Sequence, residues 1–143
     1  MVDAGAHMRI TNLKEVLAAL TAEGQKAKAA SLHGANAVAV ALQTETRRNL
    51  NTVQNSTKGG HIGSTGDFPN RRTGTLSRSI AVHVRNGFGN YTFEVGPTVV
   101  YGRILEQGFA NGNKYPYMAP SADNLRPRVD MIFLNAVRRY WRG

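Results

Sequence analysis

The nine carboxylates are Asp3, Glu15, Glu23, Glu45, Asp67, Glu94, Glu106, Asp123 and Asp130. A general acid–base pair or a metal-dependent nuclease site would need two or more acting together. No two lie at a short spacing that suggests such a pair. Metal binding asks for ligands paired at defined spacing, and His7, His33, His61 and His83 are scattered. Periodicity puts His33 on a helix surface, His61 in a loop and His83 on a strand face. Cysteine is absent, which excludes disulfide staples, thiol catalysis and thiolate metal sites. There is no Gly-x-Ser-x-Gly elbow. The run Lys58-Gly59-Gly60-His61-Ile62-Gly63-Ser64-Thr65-Gly66 invites a phosphate-loop reading. It fails, because a P-loop sets its lysine after the glycines, between a strand and a helix. Here the lysine comes first and a strand pattern follows. No catalytic residue, metal site or cofactor is expected.

The basic residues carry the stronger signal. Lys and Arg number 18 against 9 Asp and Glu, a formal charge of +9. Such a field favours nucleic acid, acidic protein surfaces or anionic membranes. Arginine pairs bidentately with carboxylate or phosphate. The candidates for such contacts are Arg47, Arg48, Lys58, Arg71, Arg78, Arg138, Arg139 and Arg142. No run of 18 apolar residues exists, so no membrane span is expected. The start MVDAGAHMRI lacks the basic and apolar regions of a signal peptide.

The elements that position these residues follow from periodicity. Leu13, Val16, Leu17 and Leu20 recur at helical spacing. Thr11 or Asn12 is the predicted cap, with Glu15 at the capping-box offset from Asn12. The pattern continues through Ala27, Ala30, Val38 and Leu42 and predicts a helical region over 12–50. Unbroken, it would span about 60 Å. Gly24 and Gly34 weaken it by about 1 kcal/mol each relative to Ala, so a kink or break at either is expected. Residues 51–74 hold turn formers and no periodicity, and predict a long flexible loop. The period then becomes 2: Ile80, Val82 and Val84, then Tyr91, Phe93 and Val95, predict a β-hairpin over 76–96 with a loop of about five residues, Asn86 to Asn90. A short helix from about Tyr101 stops at Gly108. Residues 109–117 read as another loop, one that orders on assembly. In the helical part over 99–142, the last helix carries Val129, Ile132, Phe133, Ala136, Val137, Tyr140 and Trp141 on one apolar stripe. Pro127 lies in its first turn or separates it from a turn after Pro120. Tyr140 and Trp141 fit that stripe as core or subunit interface, rather than as base-stacking groups. The 143 residues read as one domain.

One ten-residue string, Arg71-Arg72-Thr73-Gly74-Thr75-Leu76-Ser77-Arg78-Ser79-Ile80, resembles the Arg-Thr-Gly-x-Leu-x-x-Ser-Ile segment of small tailed-phage neck and tail-component proteins. Tyr101 to Gly108 (YGRILEQG) is similar to that family's Tyr…Glu-x-Gly element. Tyr115 to Pro120 (YPYMAP) is similar to its Pro-aromatic-x-x-Pro approach to a final helix. The matching positions are Arg72, Thr73, Gly74, Leu76, Ser79, Ile80, Tyr101, Glu106, Gly108, Pro116 and Pro120. The chain departs from the plainer pattern in its Gly-rich insertion after Asn55, and in Gln107 and Gly108-Phe109 where Phe-Gly-Thr is common. At these positions Gly74 suits a turn that a Cβ resists. Leu76 and Ile80 suit a core, and Ser79 a backbone contact where the strand opens. Glu106 is the expected polar partner of Arg72 or of a neighbouring subunit's arginine.

The resemblance implies an α+β fold: a long N-terminal helix, a small antiparallel sheet built on a hairpin, and C-terminal helices packed on it. It implies a non-enzymatic virion protein, made in the host cytoplasm and working as a homo-oligomeric ring, six- or twelve-fold. The ring would join the DNA-filled capsid to the tail between head-completion and tail-tube or terminator proteins, with double-stranded DNA passing its bore. A tight phosphate grip would oppose that passage, so much of the positive charge is expected to face acidic protein. Two other functions compete: a tail terminator capping the tube, and a small basic DNA-binding protein.

Overall fold

A computed structural model of the chain describes residues 13–52, 66, 68–69, 73–87 and 90–143. The predicted cap at Thr11 or Asn12, the glycine-rich run 58–65, His7, the basic candidates Lys58 and Arg71, and the motif residue Arg72 lie outside the described residues.

The first element is one helix, α1, over Leu13–Thr52. It ends two residues later than the periodicity predicts, because Asn51 and Thr52 continue the helix rather than opening the loop. The helix runs through both glycines without a break. Gly34 is retained for space: a Cβ there would lie 2.7 Å from two ring carbons of Phe133 and 2.9 Å from Val137 Cγ2. Phe133 and Val137 belong to α5, Val129–Arg142, which packs along α1. The contacts run antiparallel. Lys26 meets the Trp141 ring, His33 meets Tyr140, and Glu45 meets Arg128. The buried Ala30, Ala39 and Ala136 are small side chains of the kind that let two helices approach closely.

A short helix α2, Thr75–Ser79, leads into β1, Ile80–Gly87, which pairs antiparallel with β2, Asn90–Pro97. Residues 76–79 are thus helical, not the start of the strand as expected. Leu76 and Ile80 stand four apart, a helical spacing, and strict alternation begins only at Ile80. Gly74 starts this turn in the left-handed region at φ 74°, where a Cβ is strained. Pairing continues out to Gly87↔Asn90, so two residues separate the strands where five were expected. Of the hairpin's apolar face, Ile80 is fully buried, Val82 and Val95 half-buried, and Val84 exposed. The root of the hairpin enters the core and its tip stands away.

Beyond β2 come α3, Val100–Gln107, then α4, Met118–Leu125, and a 3-10 turn over Arg126–Arg128 that holds Pro127. Pro127 therefore separates α4 from α5, the second of the two arrangements its position allows. The main core gathers Leu50, Ile80, Leu105, Tyr115 and Tyr117, with Phe68, Leu76, Val95 and Met118 packed against it. That corrects the reading of 109–117 as a loop waiting for assembly. Tyr115 and Tyr117 bury two large rings within the chain, and the Tyr115 amide donates to the Leu105 carbonyl at 2.9 Å. Glycine and asparagine content hides a segment anchored by its aromatics.

Candidate functional site

The three family-like motifs converge around α3 and α4. Helix α4 begins with no capping side chain of its own, and the first amides of any helix lack intrahelical partners. Glu106, on the last turn of α3, supplies the acceptor. One carboxylate oxygen accepts from the amides of Tyr117 (2.7 Å) and Met118 (2.9 Å), and the other from Ala119 (3.0 Å). The next residue is Pro120, which has no amide to satisfy. Negative charge at a helix N-terminus is also favoured by the helix dipole. Glu106 is thus a cap supplied from another helix; Arg72, one of its expected partners, lies outside the described residues. The Tyr…Glu-x-Gly and Pro-aromatic-x-x-Pro motifs are thus two halves of one joint.

Tyr117 completes the joint. Its hydroxyl donates to the Gly102 carbonyl at 2.8 Å. A Cβ on Gly102 would lie 2.6 Å from Pro97 Cβ and 2.9 Å from that hydroxyl, so α3 meets the end of β2 only with glycine there. Burial pushes the Tyr117 phenol far above its ordinary range, and the charges of Glu106 and Tyr101 push it further. Ser121 donates to the Tyr117 carbonyl at 2.6 Å and accepts from the Asn49 amide at 3.1 Å, which ties α4 to α1. Gly108 stops α3 at φ 113°, and its amide donates to the Ile104 carbonyl at 2.8 Å. Pro116 is half-buried between the two core tyrosines.

The first motif is structural by the same test. Ser79 donates to the Leu76 carbonyl at 2.7 Å, the local backbone contact its position suggests. Thr73 and Thr75 bond through their hydroxyls at 2.8 Å, and Arg78 donates to the Thr73 carbonyl at 3.2 Å. Two side chains one turn apart on α1, Gln43 and Arg47, both donate to the Ile80 carbonyl, at 2.8 and 2.7 Å.

Among the described residues the basic candidates do not form one patch. Arg47 is turned inward to Ile80. Arg48 pairs with the buried Glu45 at 2.8 Å, which also takes Arg128 at 3.4 Å. Arg138, Arg139 and Arg142 are exposed on the last turns of α5. That end of α5 lies level with Lys26 to His33, about 20–30 Å along α1 from Arg47. Sequence reasoning missed Glu45, Gly102, Asn49 and Ser121. Gly102 pairs with a residue 15 positions away, Asn49 with one 72 away and Glu45 with one 83 away. Such separations lie beyond any local pattern, although a glycine inside the YGRILEQG helix does signal a close approach.

Exposed apolar side chains remain. Helix α3 presents Val100, 82% exposed, with Tyr101 and Ile104 beside it. Among the described residues no three His, Asp or Glu side chains gather where they could share a metal ion, and no helix is long and apolar enough to cross a membrane.

A family model describing the tail-component proteins of bacteriophage, those like HK97 gp10, matches residues 10–108. The match takes in α1, the hairpin and α3, and stops before α4. Neither curated proteins nor solved structures yield a match.

Proposed function

The chain belongs to the HK97-gp10-like family of bacteriophage tail components, and from that membership we propose that it is a subunit of the neck, the connector joining the DNA-filled capsid to the tail. The family is structural, not enzymatic. In this reading identical subunits close into a ring, six- or twelve-fold, between head-completion proteins and the tail tube or its terminator.

The observation that carries the reading is the exposed face of α3. Val100, Tyr101 and Ile104 form an apolar surface on the same helix whose Glu106 holds the α3–α4 joint rigid. Large exposed apolar side chains set on a fixed support are what a protein–protein contact needs. The scattered arginines favour ion pairs with acidic neighbours over a continuous phosphate-binding track. Double-stranded DNA would pass the bore with little grip.

Electron microscopy of particles from the source phage carrying a stop codon at Gln43 tests this. Full heads beside free tails of normal length are expected. Overlong or ragged tails would assign the protein to the tail terminator instead. Normal joined particles would overturn the neck reading and favour the DNA-binding one.

A further inference from the structure

The sheet has two strands, and among the described residues both of its outer edges are open. Its root shows which backbone groups point outward. There the Thr98 amide donates to the Ser79 carbonyl at 3.0 Å. In the register that continues from this pair, Ala81, His83 and Arg85 face Gly96, Glu94 and Thr92 across the ladder. The backbone groups of these residues point inward, and those of the residues between them point out. Only the root of each outer edge is guarded. The Ile80 carbonyl accepts from Gln43 and Arg47 of α1, and Pro97 opposite it has no amide. Beyond them, the outward groups of Val82, Val84 and Asn86 on β1, and of Tyr91, Phe93 and Val95 on β2, have no partner among the described residues. No proline, bulge or lysine interrupts these stretches, the usual devices that keep an exposed edge from pairing.

The two open stretches fit each other. Ile80 and Pro97, the guarded residues, are partners in the register, so the open stretches are also opposite and equal in length. Strand β1 of a second copy, laid along β2 in that same register, sets Val82 against Val95, Val84 against Phe93 and Asn86 against Tyr91. Every open amide then finds a carbonyl, through about six hydrogen bonds. The apolar face continues across the junction and covers Val84 and Tyr91, 53% and 38% exposed.

Charge selects the same arrangement. Within the chain, Arg85 on the other face pairs with Glu94 at 3.0 Å, and the pairing between copies gives each Glu94 a second such arginine. Strand β1 against β1 would instead set His83 beside Arg85. Strand β2 against β2 would bring two Glu94 carboxylates to diagonal positions. Both oppose like charges. The spacing agrees too. The hairpin runs lengthwise along α1, with its root at Arg47 and with Tyr91 reached by Lys28, whose Nζ stands 5.7 Å from the ring centroid. Two strands widen a sheet by about 10 Å, the distance at which helices pack side by side. The α1 of each copy therefore fits beneath its own hairpin.

We propose that β2 of each subunit pairs with β1 of a second copy, Phe93 against Val84, so that the hairpins of neighbouring subunits form one continuous antiparallel sheet. The two edges differ, so the contact is head-to-tail and repeats until it closes. The proposal rests on the ring reading above and names the contact between its subunits.

Hydrogen exchange of the wild-type chain tests this. The amides of Val82, Val84, Phe93 and Val95 should exchange at least about tenfold faster in the dilute monomer than in the assembly, while those of His83 and Glu94 change little. Val84→Pro removes an outward donor and spares the ladder within the chain, so it should weaken self-association by at least about tenfold in sedimentation. Retained protection at His83 and Glu94 shows that the hairpin of the variant still forms. The absence of cysteine allows a second measurement. Arg85→Cys is mixed with a size-tagged Thr92→Cys and oxidised mildly. A mixed disulfide dimer is expected, because positions 85 and 92 of neighbouring copies face each other in a close, non-hydrogen-bonded pair. Either variant linked only to itself overturns the proposal. So do outward amides already protected in the dilute monomer, an assembly that keeps its affinity with Val84→Pro, and a wild-type chain that stays monomeric at every accessible concentration. The stop-codon particles separate the two readings. Unjoined heads and tails with no mixed disulfide refute the edge contact and keep the neck. Normal joined particles refute the neck, and the edge contact then stands or falls on the disulfide.

Discussion

Phe133 occupies the space in which a side chain at Gly34 would begin, its ring carbons 2.7 Å from the position of a Cβ there. The contact explains why a residue of poor helix propensity interrupts an alanine-rich helix at its packed centre.

The two glycines of α1 should therefore respond in opposite directions. A Cβ on Gly24 would meet nothing within 4 Å, so Gly24→Ala should stabilise by up to about 1 kcal/mol through helix propensity. Gly34→Ala gains the same propensity but must displace Phe133 and Val137, and should destabilise by about 1–3 kcal/mol net. Urea midpoints of the two variants measure the difference. Equal shifts would remove the packing argument.

Removal of the Glu106 carboxylate should loosen the joint between α3 and α4. Glu106→Ala leaves the amides of Tyr117, Met118 and Ala119 without their acceptor, at a cost of about 1–3 kcal/mol. Glu106→Gln keeps an acceptor and should cost less. Hydrogen exchange at those three amides should accelerate more than exchange in the centre of α1, and uniform acceleration would contradict a local cap.

High pH should destabilise the fold through Tyr117. Its folded phenol releases its proton well above the unfolded value of 10.0 because it is buried beside Glu106. Below 10.0 both states hold the proton and the stabilisation is complete. As pH rises through 10.0 the unfolded chain ionises while the folded chain does not, so stability falls. Tyr117→Phe should lose about 1 kcal/mol at neutral pH, from the bond to the Gly102 carbonyl, and should flatten the alkaline decline. An unchanged pH slope would contradict this account.

Thr46 offers a gain. Its hydroxyl is buried on α1 and has no hydrogen-bond partner among the described residues. Thr46→Val keeps the branched shape and removes the unsatisfied oxygen, so the thermal midpoint should rise, by about 1 kcal/mol of stability or slightly more. A fall would mean that the hydroxyl has a partner.

Periodicity makes the helices legible because their apolar faces repeat: Ile132, Phe133 and Ala136 mark α5 in the sequence alone, and Ile80 and Val82 mark the root of the hairpin. Leu76 and Ile80 mislead, because two apolar points four apart fit either a helix turn or a strand. The joint is legible only as fragments. Tyr101, Glu106, Pro116 and Pro120 each stand out in the sequence, but the sequence suggests only an arginine for Glu106 and does not show the three amides of α4 that bond to it. Charge suggests countercharge, whereas backbone amides carry no letter in a sequence. Glu45, shared by Arg48 and Arg128, is hidden for a related reason, since one partner is three residues away and the other 83.

The excursion from Gly108 to Tyr115 is closed at its base, where the Phe109 amide donates to the Asn113 carbonyl and the Tyr115 amide to Leu105. Its tip, Ala110 to Gly112, is exposed. Tips of this kind tolerate inserted sequence because the clamped ends isolate the fold from it. The chain therefore carries a handle: an epitope or a gold-binding peptide placed between Asn111 and Gly112 would project from each copy, and the copies in a particle could be counted from the labels alone.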